Sequence, residues 1–186
     1  METRINEIAD GIYRLSTYVP QIAPPAGFAF NSFLVKGEQP LLFHTGLRKM
    51  FPLNRDAVAK LMPVDKLRWI AFGHYEADEC GALNDFLDCA PGATPVCGRI
   101  AAMTSVRDVA DREPRALKDG EDTLLGKHRL RWFDAPHVPH GWECGLMMDM
   151  STRTFFCGDL FTQGGPGTVA VTETDILAPS EAFRKT

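Results

Sequence analysis

Apolar and polar positions alternate along residues 11–19, which predicts a strand, and Pro20, Pro24, Pro25 and Gly27 then mark a loop. Residues 28–35 and 41–44 are apolar runs about Lys36-Gly37-Glu38-Gln39-Pro40, the pattern of a hairpin. Ala57, Val58, Leu61 and Met62 recur at helical spacing within 54–62, with Pro63 as a stop. Residues 67–72 form a continuous apolar run, read as a buried strand, and 82–87 carry the i, i+3, i+4 spacing of a helix. Pro91-Gly92 turns the chain into the short run 95–97. Residues 100–110 read as helix and 107–115 as a charged, solvated surface. Strand-like runs at 123–125 and 128–133 flank Gly126. A second hairpin, 144–150 and 154–157, folds about Ser151-Thr152-Arg153, and Thr174-Asp175-Ile176 starts a short helix. Strands alternating with helices predict α/β layering, and the chain contains no internal repeat.

Length and composition change this picture little. The 186 residues, 45% hydrophobic and 24% charged, suit one globular domain spanning 1–186. A net charge of −4 offers no basic footprint for nucleic acid or an anionic membrane surface. No apolar run has the length of a membrane span and the first residues are polar, so a cytoplasmic protein without a secretory signal is expected. Five cysteines, none in a C-x-x-C pair, argue against a disulfide framework or a cysteine zinc site. They read as small buried hydrophobes, although Cys80 and Cys157 stand close in sequence to candidate ligands.

The chemistry is concentrated in three loops, each directly after an apolar strand. The first is Gly73-His74-Tyr75-Glu76-Ala77-Asp78-Glu79, which sets nitrogen and oxygen donors at alternate positions just before a helix. Alone, such a turn serves equally to cap that helix, because Asp78 and Glu79 favour its positive end. The second loop, Pro136-His137-Val138-Pro139-His140-Gly141, carries two histidines between prolines. The third, Gly158-Asp159-Leu160-Phe161, places Asp159 at the end of the second hairpin. Donors gathered at one edge of a sheet make a ligand site in a layered fold, and mixed imidazole and carboxylate donors suit first-row transition metals.

H-x-E-x-D, a histidine in a Pro/Gly-rich loop, and G-D-x-F after a hairpin together resemble the metallo-β-lactamase fold, an αββα sandwich. Glu at the second motif position is similar to the flavodiiron and oxygen-binding diiron branch. The resemblance runs from Asn31 to Phe161. It implies that His74, Glu76 and one loop histidine hold a first metal, that Asp159 bridges two metals, and that Asp78 belongs to the second. His140, 19 residues before Asp159, fits the register of the family better than His137, which then orders the loop. Glu79 stands where the family often has a histidine, so it is a further candidate oxygen ligand; His44 stands where the family often has aspartate and reads as a supporting residue. Trp142 is a candidate wall of the pocket. No histidine follows His140, so either the chain stops short of the family's last ligand, leaving the second half incomplete, or the second site lacks it.

Two metals bridged by Asp159 would lie about 3.5–4 Å apart around a bridging water or hydroxide. Asp78 and Asp159 flank that position and take the catalytic roles. The Glu variant favours two iron ions, with zinc or manganese as alternatives, and a reaction that binds or reduces O2 or NO. A small-molecule substrate is expected. No flavin site is visible in this chain, so electrons would come from an external partner, and the reading admits a homodimer. A metal-dependent hydrolase acting on a thioester, lactone or phosphoester keeps the same ligands. A degenerate, non-catalytic fold is the remaining alternative.

Overall fold

The computed structural model describes residues 1–185. Seven strands form one sheet in the order in which the chain makes them: β1 (Thr3–Ala9), β2 (Ile12–Val19), β3 (Phe28–Val35), β4 (Leu41–Phe43), β5 (Trp69–Ala71), β6 (Thr94–Gly98) and β7 (Arg115–Leu117). The first four strands pair antiparallel through hairpins, whereas β4 to β7 pair parallel, with helical crossovers between them. A second, antiparallel sheet contains β8 (Asp122–Leu125), β9 (His128–Asp134), β10 (Gly145–Asp149) and β11 (Thr154–Phe156).

Alternation along the strands assigns the two faces of the larger sheet. In β4, Leu42 joins the core with helices α1 (Phe51–Ala59) and α3 (Leu83–Cys89), while Leu41 and Phe43 join the core between the two sheets. Ile70 and Ala71 of β5 divide in the same way. From the smaller sheet, Leu130, Trp132, Met147 and Phe156 close the inter-sheet core. Each large side chain fully buried here contributes about 1.5–3 kcal/mol relative to exposure.

The expected hairpins, the parallel βα units and the 151–153 turn are all present. The helix expected over 54–62 instead runs from Phe51 to Ala59, because Pro52 sits in the first turn, where a missing N–H costs nothing. β1 was not expected. It is an edge strand carrying Arg4, Asn6 and Glu7, so its pattern is too polar to read as a buried strand. β7 was not expected and begins at the last residue of the stretch read as charged surface: Leu117 is buried and Arg115 lies over the Trp69 ring at 5.5 Å. The helical stretch at 99–109 is α4 (Arg99–Ala101), a π turn over Ala102–Val106, and α5 (Arg107–Val109). His128 is fully buried, with Nδ1 2.7 Å from Asp149 Oδ2.

Three layers are complete among the described residues: helices, the seven-stranded sheet and the four-stranded sheet. On the outer face of the smaller sheet Leu124 and Phe155 are exposed. Helix α6 (Leu177–Phe183), started by Asp175 accepting from the Leu177 amide, stacks Phe183 on Phe28 of β3. No helix among the described residues is long and apolar enough to cross a membrane. The five cysteines are free; Cys89 and Cys157 are half-buried and the others buried.

Candidate metal centre

The site gathers at one end of the sheets, where β5, β9 and β11 each hand the chain to a loop. After β5 the backbone passes through Gly73. A Cβ there would lie 2.9 Å from the Gly145 carbonyl oxygen, and that same oxygen's residue donates its amide to the Gly73 carbonyl at 2.8 Å. Glycine therefore lets the first ligand turn press against the start of β10. His74 follows, buried, and Glu76 closes the turn ahead of α2 (Ala77–Cys80). The Glu143 carboxylate accepts from the Tyr75 amide at 3.0 Å, which ties the second loop to the first.

Four side chains converge. One donor atom from each of His74, Glu76, His140 and Asp159 lies within 4.8 Å of the others. His74 Nε2 is 2.6 Å from Glu76 Oε2 and 3.8 Å from Asp159 Oδ2. His140 Nε2 is 3.5 Å from the same Glu76 oxygen and 3.4 Å from the same Asp159 oxygen. The two imidazoles meet edge to face with centroids 4.6 Å apart. His74 and Asp159 approach from the protein side, whereas Glu76 and His140 are about half exposed, at 49% and 55% of their side chains.

The remaining candidates are placed differently. Asp78 is half-buried beside the cluster, and its Oδ1 is buried without a hydrogen-bond partner. Burial raises its carboxyl above the ordinary range, and the negative charges of Asp159, Glu76 and Glu79 push it further the same way. Glu79 is buried and turned away from the cluster: Oε2 accepts the Gly73 and His74 amides at 2.7 and 2.8 Å. Burial alone would raise its carboxyl, but the charge of His44 and contacts from His44 and His74 prevail and hold it well below the usual range. Burial lowers His74, but Glu79, Glu76 and Asp159 together outweigh it, so the imidazole is pushed up to about 10. His137 is exposed with a left-handed backbone, donates its amide to the Gly141 carbonyl, and stays outside the cluster. Trp142 is 53% exposed and is not part of the wall of the cavity that reaches Asp159.

Two supporting residues were not singled out in the sequence. Thr45 binds the Glu79 carbonyl through both its amide and hydroxyl, and the buried Asn54 amide donates to the Thr45 carbonyl at 2.8 Å. Asn54 falls in the stretch read as helix, but a polar residue on the inner face of that helix was the clue available. A cavity of about 490 Å³ reaches the site; Asp78, Asp159 and His44 lie at one part of its wall, and Phe28, Phe30 and Phe155 line others.

These donors fit metal ions. The Glu76 and Asp159 carboxylates share the cluster, Asp78 is near enough to be raised by their charge, and its buried oxygen has no protein donor to satisfy it. The set, two imidazoles and carboxylates with no thiolate, is that of a first-row transition metal. A family model described as ODP family beta lactamase matches residues 28–184. The chain belongs to that family. Among relatives of this ODP-family chain, a putative diflavin flavoprotein A 2 of Synechocystis is 30% identical over 138 residues, which are 73% of this chain and 24% of the relative. A putative diflavin flavoprotein A 1 of Nostoc is 31% identical over the same shares. In structure, a metal-soaked flavodiiron core from Synechocystis superposes with a TM-score of 0.85 at 19% identity, covering 98% of this chain and 48% of that one. Rubredoxin oxygen:oxidoreductase from Desulfovibrio gigas gives the same TM-score, identity and coverage. The fold is thus the metallo-β-lactamase-like core of flavodiiron proteins. The chain spans about a quarter of the length of these curated relatives and about half of these structures.

Proposed function

We propose that this chain is a non-haem diiron protein that binds or reduces O2 or NO. The convergence of His74, Glu76, His140 and Asp159 carries the proposal, because it brings two nitrogens and two carboxylate oxygens within 4.8 Å of one another, close enough to share an ion. His74, Glu76 and His140 would hold the first iron, Asp159 would be shared, and Asp78 would reach the second. When bound, iron would supply redox and Lewis-acid chemistry toward the diatomic molecule. Each of the chain's own groups has a task. Glu76 brings an anionic oxygen where a second imidazole would be neutral, which favours the higher oxidation state of the metal. The buried His74 and its protein-side neighbour Asp159 fix the ion against the sheet, while the exposed side at His140 and Glu76 admits a small molecule. Phe28, Phe30 and Phe155 give the adjoining cavity an apolar part that suits an uncharged diatomic.

The relatives extend this reading. The Desulfovibrio gigas neighbour is named for oxygen reduction with rubredoxin, and we take an external one-electron donor as the partner of this chain as well. The reading is tested on protein loaded anaerobically with ferrous iron and mixed with NO in a stopped-flow spectrophotometer. The expected result is a visible iron–nitrosyl absorption and, with O2 in place of NO, consumption of O2; both disappear in His74→Ala. A ferrous-loaded protein inert to both gases contradicts the reading.

A further inference from the structure

Glu79 occupies the position at which the ligand motif of the family often has a histidine, yet its carboxylate is buried against His74 and His44 and is not among the four converging donors. Its side chain is 2% exposed. One carboxylate oxygen is filled by two backbone amides, those of Gly73 at 2.7 Å and His74 at 2.8 Å. The other lies 3.1 Å from His74 Nδ1 and 3.1 Å from His44 Nε2. Glu79 therefore meets the same ligand twice, by a hydrogen bond from its backbone N–H and by a close approach to the ring nitrogen that faces away from the cluster. The ring's second nitrogen, Nε2, is the one directed at Glu76 and Asp159.

The packing around this carboxylate is tight on both sides. A Cβ at Gly73 would lie 3.2 Å from Oε2, and one at Gly158, which has φ +50°, would lie 3.1 Å from Oε1. The Glu79 main chain is itself fixed, since its carbonyl accepts from the Thr45 amide at 2.7 Å. His44 is buried, carries φ +65°, stacks on Phe43 at 4.2 Å, and receives its backbone position from the Ala71 carbonyl.

We propose that Glu79 is a positioning residue rather than a metal ligand: its Oε1 faces His74 Nδ1, which sets the ring orientation and leaves Nε2 free for the first metal, while the His44 ring faces the same oxygen from the other side. The physical ground is general. A ligating histidine needs its other nitrogen tied to an acceptor to fix ring orientation and tautomer, and a buried carboxylate needs donors on both oxygens. The inference rests on the reading of His74 as a metal ligand.

Zinc, which is diamagnetic, probes it without any turnover. Its affinity is measured by chelator competition, and nitrogen-15 NMR of histidine-labelled, zinc-loaded protein reads which ring nitrogen of His74 is metal-bound. In the wild type His74 is expected to be metallated at Nε2, with a slowly exchanging Nδ1–H. Glu79→Gln is expected to weaken zinc binding about 10- to 100-fold and to move and quicken the Nδ1–H signal. His44→Gln leaves the Glu79–His74 contact in place and should cost less than Glu79→Gln. Unchanged affinity and an unchanged Nδ1–H in Glu79→Gln overturn the proposal, as does His44→Gln losing as much affinity as His74→Ala, which would make His44 a ligand. Should Glu79→Gln lack the native far-UV circular dichroism, the wild-type spectrum decides alone: metallation at Nδ1 overturns the proposal. Wild-type protein that binds no zinc and no iron instead contradicts the underlying metal reading.

Discussion

Asp159 and Asp78 are both carboxylates at the rim of the same cavity, but their positions make them unequal. Asp159 Oδ2 stands within 3.4 Å of His140 and 3.8 Å of His74, whereas the buried Asp78 Oδ1 has no protein partner. Asp78→Asn is therefore expected to retain the first iron and lose the second, halving the iron found by elemental analysis, while Asp159→Asn loses both. Equal iron in the two variants would contradict this division. A second buried pair acts on stability alone. Asp149 is fully buried and accepts from His128, the Ser151 amide and the Thr152 hydroxyl. Burial would raise its carboxyl, but the contact with His128 and these hydrogen bonds prevail and hold it below its ordinary 3.8. A carboxyl lowered by folding stabilises the native state above its unfolded value and ceases to do so as pH falls through the folded one. Asp149→Ala should cost about 1–3 kcal/mol at pH 7, because it leaves the buried His128 nitrogen without its hydrogen-bond partner. In denaturant titrations the gap from wild type should be full above pH 3.8 and shrink below it.

At the scale of elements, the ligand turn depends on how closely β5 and β10 approach. Gly73→Ala forces a methyl group to 2.9 Å from the Gly145 carbonyl and 3.2 Å from Glu79 Oε2. It should lower stability by about 1–3 kcal/mol and weaken metal binding together, measured by thermal unfolding and chelator competition. Local sequence pattern revealed most of these elements: period-two runs marked the hairpins, and the apolar run at 67–72 marked the strand that carries His74. It missed β1 and β7 because edge strands bury only one face or less, and Arg115 reads as solvated until Trp69 is seen beneath it. The loops after β5, β9 and β11 were legible as ligand carriers, and the fold brings His74, Glu76, His140 and Asp159 of those loops together. The inward turn of Glu79 was not legible. Spacing places residue 79 one step beyond Asp78, but only the fold reveals that the Gly73 and His74 amides point back at it.

Across the whole molecule, the two sheets are held together by one apolar layer, and Trp132 is its largest fully buried member. Trp132→Ala should cost about 3–5 kcal/mol, read as a lowered melting temperature. Because the larger sheet presents His74 and Glu76 and the smaller sheet leads into His140 and Asp159, loosening that layer separates the halves of the metal centre. The same variant should therefore bind iron more weakly even under conditions where it remains folded. The central claim is that this assembly is a diiron centre, and metal analysis with an optical spectrum of aerobically purified protein tests it most directly. About two iron atoms per chain and a near-ultraviolet iron–oxo absorption are expected. Colourless protein that holds zinc and no iron would contradict it.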